Sequence, residues 1–401
     1  MSEPRAFGLR IAAAYGVFFV IQGIYMPFFP LWLMGKGLDP TDIALVLALP
    51  ALARVVLVMP MSGFADRASD RASVLVGFWI AAALAATLHL LATDTITVVA
   101  VHLLLAVLWV PQLPITDGLA IDGVRRFGLD YGRIRLWGSI TFLVVNLAGG
   151  WLFTRTDSDG IMVVLVALFW VAVAVGFTTP RLGPSAGVRA QPWAFVKRRN
   201  FTLVVAGAGL VQASHAFIYG FGSVYWAERG ASESLIGALW AFSVFAEIVL
   251  FLLAGAALRR YGPVPLLLAG GLGAILRWLL FPFEPSLAAT FGLQVLHAAS
   301  FGATHLGMQL YIAARVGDGE MTSAQGYSTL LGGLAMGLAS LASGSLYARF
   351  GVDGFLAMSL LALAGTVLIV MGLRGSLHGG LRGGLRGASL QSPRIGHSAG
   401  G

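Results

Sequence analysis

The sequence predicts an all-α membrane protein with twelve transmembrane helices, and three observations support this fold class. The chain of 401 residues is 58% hydrophobic and only 11% charged, whereas soluble domains carry roughly 25% charged residues. Twelve apolar stretches occupy most of its length, each near the roughly 20 residues that a helix needs to cross a bilayer. Lysine and arginine are distributed unevenly between alternate loops, as in multi-pass membrane proteins.

The twelve predicted spans leave no room for a separate soluble domain. They lie near residues 8–34, 42–63, 72–92, 95–119, 132–153, 160–179, 200–226, 234–258, 263–283, 287–314, 322–348 and 352–373. The chain has no cysteine. This excludes a disulfide framework, a thiolate metal site and a cysteine nucleophile.

The distribution of basic residues predicts the orientation of the chain. If the N-terminus is inside, 20 of the 26 lysines and arginines fall in inner segments and four fall in outer loops. Short loops rich in Lys and Arg stay in the cytoplasm. We therefore expect a multi-pass protein of the bacterial cytoplasmic (inner) membrane with both termini in the cytoplasm.

Two halves of six spans are predicted from the longest internal loop. The expected divisions are an N-terminal six-helix bundle, 1–179, a basic cytoplasmic linker, 180–199, and a C-terminal six-helix bundle, 200–374. A Gly-, Ser- and Arg-rich tail, 375–401, is expected to be disordered because it cannot form a core. The halves share weak internal similarity, since "GSITFLVVNLAGGWLF" (138–153) resembles "GGLAMGLASLASGSLY" (332–347).

Charged residues within the apolar spans indicate a transport pathway. Arg54, Glu247 and Arg277 lie inside predicted spans, where each charge costs several kcal/mol (about 2.5 to 3.5 on insertion scales) unless it faces a cavity or a partner. Glu247 and Arg277 lie at similar depth on consecutive spans. They could form a permanent packing pair or a pair that breaks when a proton binds, and His297 on the next span could take part.

Other polar residues are candidates for contact with substrate. Arg54 lacks an acid in its own span, so it could bind a substrate carboxylate or pair with another helix. Neutral histidines in membranes often only hydrogen-bond a neighbouring helix, which is the alternative for His215 and His305. The candidate substrate-binding residues are Arg54, Gln22, Gln212, His215, Tyr219 and His305.

A possible inner gate lies where the fourth and fifth spans meet. Asp117 falls near the inner end of the fourth span, and Arg133 and Arg135 open the fifth on the same side. The three residues could form a static salt-bridge cluster at the interface. Alternatively, their ion pairs could break when the cavity opens inward.

Several strings resemble one transporter family. "GFADR" (63–67) resembles the signature loop of major facilitator transporters, and this resemblance implies that Asp66 and Arg67 bond across helices as part of a gate. "PFFPLWL" (27–33), "DYGRIRLWGSI" (130–140), "QASHAFIYGFGSVYW" (212–226) and "LHAASFGATHLG" (296–307) resemble the phenylpropionate permease branch, which is similar to the lactose permeases.

The resemblance implies proton coupling through three residues. Symporters similar to lactose permease use a Glu, Arg and His set on the eighth to tenth spans, where this chain has Glu247, Arg277 and His297. Those symporters carry a Glu one turn after the His, and this chain has Ser300 there. The proton is therefore expected to reside on Glu247.

The leading hypothesis is a secondary transporter that takes up a small organic acid, such as an aromatic carboxylate of the 3-phenylpropionate type, with a proton. A proton-driven exporter of drugs or metabolites is the alternative, and a non-transporting membrane receptor is the alternative from another class. The chain has no P-loop, so a gradient must supply the energy. We expect no enzyme activity, cofactor, metal or nucleic-acid partner, and a monomer in the lipid bilayer.

Overall fold

The computed structural model describes residues 3–68, 70–181, 191–283, 286–317 and 320–388. Within these ranges it gives the backbone alone at 58–59, 62–63, 66–67, 192, 254–261, 322 and 375–388. Throughout this described part the chain is helical and forms no strand. The predicted all-α fold class is confirmed.

The N-terminal half contains six helices of membrane-spanning length. They are α1 (Glu3–Gly35), α2 (Pro40–Arg67), α3 (Arg71–Leu88), α4 in two segments (Thr95–Trp109 and Gln112–Phe127), α5 (Tyr131–Phe153) and α6 (Asp159–Phe177). Asp39, Asp70, Asp94 and Asp130 cap α2, α3, α4 and α5, each accepting a hydrogen bond from a backbone N–H of the first turn. Such caps satisfy donors that a helix leaves free at its start.

The C-terminal half contains six more helices, two of them interrupted. They are α7 in two segments (Arg199–Ala213 and Ala216–Glu228), α8 (Glu233–Tyr261), α9 (Val264–Leu280), α10 (Leu287–His297, a π-helical turn Ala298–Ala303, and Thr304–Arg315), α11 (Met321–Phe350) and α12 (Gly354–Ala388). Helix α12 passes the predicted boundary at 374 and runs to Ala388. Residues 389–401 lie outside the described residues, so the expected disorder of the tail stays a prediction.

Length and hydropathy identify eleven of the twelve helices as candidate membrane spans. Among the described residues, ten segments are long and apolar enough to cross a membrane, and one of these, 323–374, holds both α11 and α12. Helix α10 is not among the ten. Its described residues include five buried polar side chains, which are Thr290, Gln294, His297, Ser300 and Thr304.

The fourth span extends further than predicted. The apolar stretch ends near residue 119, but α4 continues to Phe127, where Gly128 adopts the left-handed conformation (φ 63°) that ends the helix. Glycine takes this conformation without steric cost. Asp117 therefore lies in the interior of a helix, almost three turns before its end.

Helices pack mainly within their own half. In the first half α1 packs on α5 and α6, and α3 packs on α6; in the second half α7 packs on α11 and α12, and α9 packs on α12. Between the halves, the extensive contacts are α2 with α11 and α5 with α8. This pattern is what a division at 180–199 would produce, and the division itself stays a prediction.

The part of the linker that is described attaches to the second half. Phe195 is buried against the rings of Phe201 and Tyr327, with ring centroids 4.9 and 6.2 Å away. The guanidinium of Arg198 donates two hydrogen bonds to the carboxylate of Glu320, one of them 3.0 Å long. These bonds from Arg198 lower the pKa of Glu320, so the pair remains charged at neutral pH and holds the linker beside the start of α11.

The two halves meet tightly at the far end of the bundle, which is the end where α1 finishes. A Cβ added at Gly237 of α8 would overlap the carbonyl oxygen of Asn146 of α5, and one at Gly150 would lie 2.6 Å from the carbonyl oxygen of Glu233. At the second contact between the halves, where α11 meets α2, a Cβ added at Gly344 would lie 2.6 Å from both the Pro40 carbonyl oxygen and the Ala44 Cβ. Glycine at these points lets backbones touch.

The near end, where α1 begins, is open by comparison. Glycines of α11 contact α2 from the far end as far as Gly333, which lies about halfway along the helix. A Cβ added at Gly333 would lie 2.9 Å from Val55. Beyond that level Pro60 and Phe64 of α2 are exposed, with Phe64 at 59%. Within the described residues the closest contacts between the halves therefore lie at the far end and stop about halfway along, and we interpret the near end as the open one.

A bulkier residue at the closed contact should open the far end. In Gly237→Leu the side chain cannot fit against Asn146, so the halves must separate there. The chain has no cysteine, so Ala44→Cys introduces a single thiol. Ala44 is only 2% exposed, so this thiol is occluded while the far end is closed. We expect Gly237→Leu to raise the maleimide labelling rate of that thiol by about tenfold or more, since occluded sites open only in minor states.

Gly292→Leu is the matched control, because a Cβ at Gly292 meets nothing within 4 Å. It should leave the labelling rate unchanged. Equal labelling in both variants would mean that the glycine contacts do not close the far end.

Candidate functional site

The C-terminal half encloses a cation among neutral partners. Arg277 of α9 is 1% exposed. Its guanidinium donates to Gln294 Oε1 at 2.8 Å, to His297 Nδ1 at 3.0 Å and to Ser300 Oγ at 3.4 Å, all on α10. It also lies over the Trp278 ring, 4.7 Å from the centroid. No described carboxylate contacts it, so the charge is solvated by dipoles alone.

The hydrogen bond from Arg277 fixes the protonation state of His297. A guanidinium can only donate, so Nδ1 of His297 must accept, and the proton of the neutral ring is then on Nε2. That Nε2 lies 3.8 Å from Glu247 Oε2 of α8. Arg277, His297 and Glu247 therefore form a chain in which the histidine presents an N–H towards the carboxylate.

The predicted direct ion pair between Glu247 and Arg277 is not formed. Helix α10 packs against both α8 and α9, and His297 of α10 lies between the two charges. As their positions along the spans predict, all three residues lie at one level. Sequence periodicity could not show which neighbour each helix faces, since membrane helices are apolar on most sides.

His215 belongs to the support of the site and not to its surface. It is fully buried, and its Nδ1 lies 3.1–3.2 Å from the carbonyl oxygens of Gln212 and Val211. Its Nδ1 therefore carries the proton, and Nε2 accepts from Ser300 Oγ at 3.0 Å. The prediction that His215 contacts substrate does not fit this placement, because both ring nitrogens already have protein partners.

The other predicted substrate-contact residues of this half have different environments. The amide of Gln212 is half-buried and donates to the carbonyl oxygen of Phe301 at 3.1 Å. The Tyr219 hydroxyl makes no hydrogen bond with any described residue, and its ring lies between those of His215 and Trp240. His305 is exposed, and its ring stacks on Phe301 with centroids 6.1 Å apart. Tyr219 and His305 are thus the better placed to meet a ligand.

The N-terminal half contributes an acid held by two tyrosines. Asp117 of α4 accepts a short hydrogen bond from Tyr15 of α1 and another, 3.1 Å long, from Tyr131 of α5. Its charge interacts with those of Arg135 and Arg54. Asp117 and Tyr15 are both recognisable in the sequence as polar residues of the spans, but neither their pairing nor the role of Tyr131 is, because contacts between helices leave no local signal.

Arg54 and Arg135, the two arginines whose charges interact with Asp117, have no ion-pair partner among the described residues. Arg54 of α2 is exposed, and Asp117 is the acid with which it interacts electrostatically. Arg135 of α5 is half-buried, with its guanidinium 4.2 Å from the centroid of the Phe19 ring. Its charge acts on Glu247 and His305 of the opposite half. Arg135 therefore links the two halves electrostatically.

The predicted gate cluster is only partly present. Arg133 is exposed and pairs with Asp130 at 3.5 Å, so its inclusion with Asp117 was wrong. Residues two apart on a helix point in nearly opposite directions, so Arg133 and Arg135 cannot face the same partner. Gln22 is half-buried on α1 and makes no hydrogen bond within the described chain.

The predicted gate residues Asp66 and Arg67 lie in the last turn of α2, but their side chains are outside the described residues. Close by, Arg71 donates to Asp122 of α4 at 2.8 Å, and Arg181 lies 3.5 Å from Asp70. Asp122 was missed by the sequence analysis, since the apolar stretch appeared to end at residue 119.

Comparison with known proteins identifies the family. The model of the MFS_1 like family matches residues 9–357. The chain belongs to the major facilitator superfamily. It is a secondary transporter of the membrane and not an enzyme. A curated relative from Escherichia coli (strain K12), the probable 3-phenylpropionic acid transporter, is 30% identical over 371 residues, which cover 88% of this chain and 94% of the relative.

More distant relatives support the same family and fold. The maltose permease of Geobacillus stearothermophilus is 25% identical over 368 residues, covering 89% of this chain and 92% of the permease. Among solved structures, the nucleoside transporter NupG matches with a TM-score of 0.77 at 16% identity, covering 92% of this chain and 98% of that one. At this identity the structural likeness shows the fold alone, and it confirms the major facilitator fold.

The buried guanidinium should depend on its amide acceptor. Gln294→Leu removes the Oε1 atom that accepts from Arg277 Nη2, and we expect a loss of about 1.5–3 kcal/mol in unfolding free energy. Gln294→Glu keeps an acceptor at the same place and adds a charge opposite to that of Arg277. Thermal unfolding in detergent micelles should show a lower Tm for Gln294→Leu than for Gln294→Glu. Equal Tm values would mean that this bond does not stabilise Arg277.

Proposed function

We propose that this transporter takes up a small organic acid together with a proton by alternating access. The observation that carries the proposal is the chain from Arg277 through His297 to Glu247 in the second half, opposite two arginines without ion-pair partners in the described part of the first. The chain belongs to a family of transporters, so the receptor alternative has no support.

Glu247 is the proton carrier in this proposal. His297 already holds one proton on Nε2, and a second would require the Nδ1 lone pair that Arg277 occupies. The next proton from the cavity therefore goes to Glu247, whose side chain keeps 16% exposure. The open near end gives that carboxylate a route to water.

The substrate is expected to carry a carboxylate. Arg54 and Arg135 offer guanidinium groups without a described carboxylate in contact, and guanidinium binds carboxylate in a planar, two-bond geometry. The Phe19 ring beside Arg135 provides an apolar surface for an aromatic substrate. A neutral sugar or nucleoside would leave both guanidinium groups without a carboxylate in direct contact. The relative from Escherichia coli, named for 3-phenylpropionic acid, supports the same substrate class.

The charges suggest how proton and substrate are coupled. While Glu247 is ionised, its carboxylate and an incoming substrate carboxylate would compete for the charge of Arg135. A proton on Glu247 removes this competition and lets Arg135 bind the substrate. For uptake, substrate and proton bind while the far end is open. The loaded site then lets the halves close at the far end and separate at the near end, with Asp117, Asp66 and Arg67 as proposed gate residues.

The cellular setting follows from the charge distribution of the loops. We place both termini in the cytoplasm of a bacterial cell, on the inner membrane, and the near end is then the cytoplasmic end. The structure corresponds in this assignment to an inward-open state. Export of drugs or metabolites remains the second candidate, since direction depends on gradients and not on the fold.

Neutralising Glu247 should abolish proton-driven accumulation of substrate while exchange of substrate across the membrane continues. In proteoliposomes with a proton gradient of one pH unit, wild-type protein should accumulate labelled 3-phenylpropionate by up to about tenfold, the limit for one proton per substrate. Glu247→Gln should abolish this accumulation, because no proton can be taken up or released. It should keep counterflow, which needs only substrate exchange.

Glu233→Gln, in the first turn of the same helix, is the control and should accumulate substrate as wild type does. If Glu247→Gln still accumulates substrate, Glu247 is not the coupling acid. If the wild type expels substrate under the same gradient, export is the function.

A further inference from the structure

One turn of α10 touches the functional residues of three other helices. The π-helical turn, Ala298–Ala303, begins directly after His297. Ser300 within it contacts Arg277 of α9 and His215 of α7, and the carbonyl oxygen of Phe301 accepts from Gln212 of α7. Turns of this kind are rare and often lie at functional sites.

The π turn changes which residues share a face. In an α-helix, residues five apart point about 140° away from one another. In a π turn the backbone hydrogen bond joins residues five apart, so they lie nearly one above the other. His297 and Gly302 are five apart. The π turn therefore turns both towards α8.

Gly302 supports Glu247 directly. A Cβ added at Gly302 would lie 3.0 Å from Glu247 Cγ and 3.2 Å from Leu250 Cδ2. The carboxylic side chain thus rests on the bare backbone of the π turn while its Oε2 lies 3.8 Å from His297 Nε2. Any side chain at position 302 would push Glu247 away from α10 and lengthen that distance.

Gln212 holds the turn from the other side. The extra residue of a π turn alters the α-helical hydrogen-bond pattern, and a side-chain donor can satisfy an exposed carbonyl group. Here the amide of Gln212 donates to Phe301. This bond gives Gln212, predicted from sequence to contact substrate, a structural role in the present state.

We propose that the π turn of α10 is the positioning element of the proton-coupling site, with Gly302 as the residue that sets the distance between Glu247 and His297. The proposal rests on the proposed function, in which Glu247 carries the proton. The ionisable groups around Glu247 on the neighbouring helices are Arg135 of α5, His215 and Tyr219 of α7, Arg277 of α9, and His297 and His305 of α10.

Gly302→Ala tests the proposal with a single methyl group. The methyl moves Glu247 further from the Nε2–H of His297, which already lies 3.8 Å away and therefore acts on the carboxylate as a dipole and not through a hydrogen bond. With that dipole further away the carboxylate takes up a proton more readily. We expect the midpoint of the pH dependence of 3-phenylpropionate uptake to rise by about half a pH unit, because a positive dipole end stabilises the charged form of a carboxylate. Gly292→Ala, in the same helix with nothing within 4 Å of its Cβ, should keep the wild-type midpoint.

A second readout separates the role in positioning from a defect in transport. The infrared absorption of the protonated carboxyl group, identified by its loss in Glu247→Gln, can be followed against pH without transport. Its midpoint should rise in Gly302→Ala and stay constant in Gly292→Ala. Should Gly302→Ala fail to fold, the double variant with Leu250→Ala removes the 3.2 Å contact and keeps the one with Glu247.

The outcomes distinguish this proposal from the function on which it rests. If wild-type protein and Gly292→Ala show no accumulation driven by a proton gradient, the proposed function fails. If both accumulate substrate and Gly302→Ala or the double variant keeps the wild-type midpoint in both readouts, the π turn does not position Glu247 and the inference is overturned.

Discussion

A guanidinium buried in the second half, without a carboxylate in contact within the described chain, is the constraint on which the site depends. Removing such a charge from water costs several kcal/mol, so every available acceptor must be directed at it. Gln294, His297 and Ser300 supply these acceptors from one helix. Because His297 must accept, its own proton is directed towards Glu247, and one buried cation thereby orients the residue beside the acid.

The two halves have different chemical roles in this account. The second half holds the proposed proton-binding acid, Glu247, half-buried beside His297. The first half presents Arg54 and Arg135, neither of which has an ion-pair partner among the described residues, and an acid, Asp117, whose hydrogen bonds come from tyrosines. The charge of Arg135 interacts with an acid in each half, Asp117 in the first and Glu247 in the second. In this account, protonation of Glu247 therefore changes the electrostatic environment of the first half through Arg135.

The sequence predicted the helices, the family and the level of the charged residues. Each of these depends on a local property, either the length of an apolar stretch or the free-energy cost of a charge within it. The sequence could not predict which helix lies between two others, and so His297 appeared as an accessory to an ion pair that it in fact interrupts. The π turn has no composition signal that distinguishes 298–303 from an α-helical segment. Arg133 and Arg135 differ only in the face they occupy, which a stretch without strong periodicity does not reveal.

The most direct test of the central claim is the number of protons taken up when substrate binds. Titration calorimetry of 3-phenylpropionate in buffers of different ionisation enthalpy gives this number without transport. With the wild type ionised at Glu247 before binding, the account predicts uptake of about one proton per substrate and none in Glu247→Gln. Uptake of no proton by the wild type, or of one by both proteins, would contradict it.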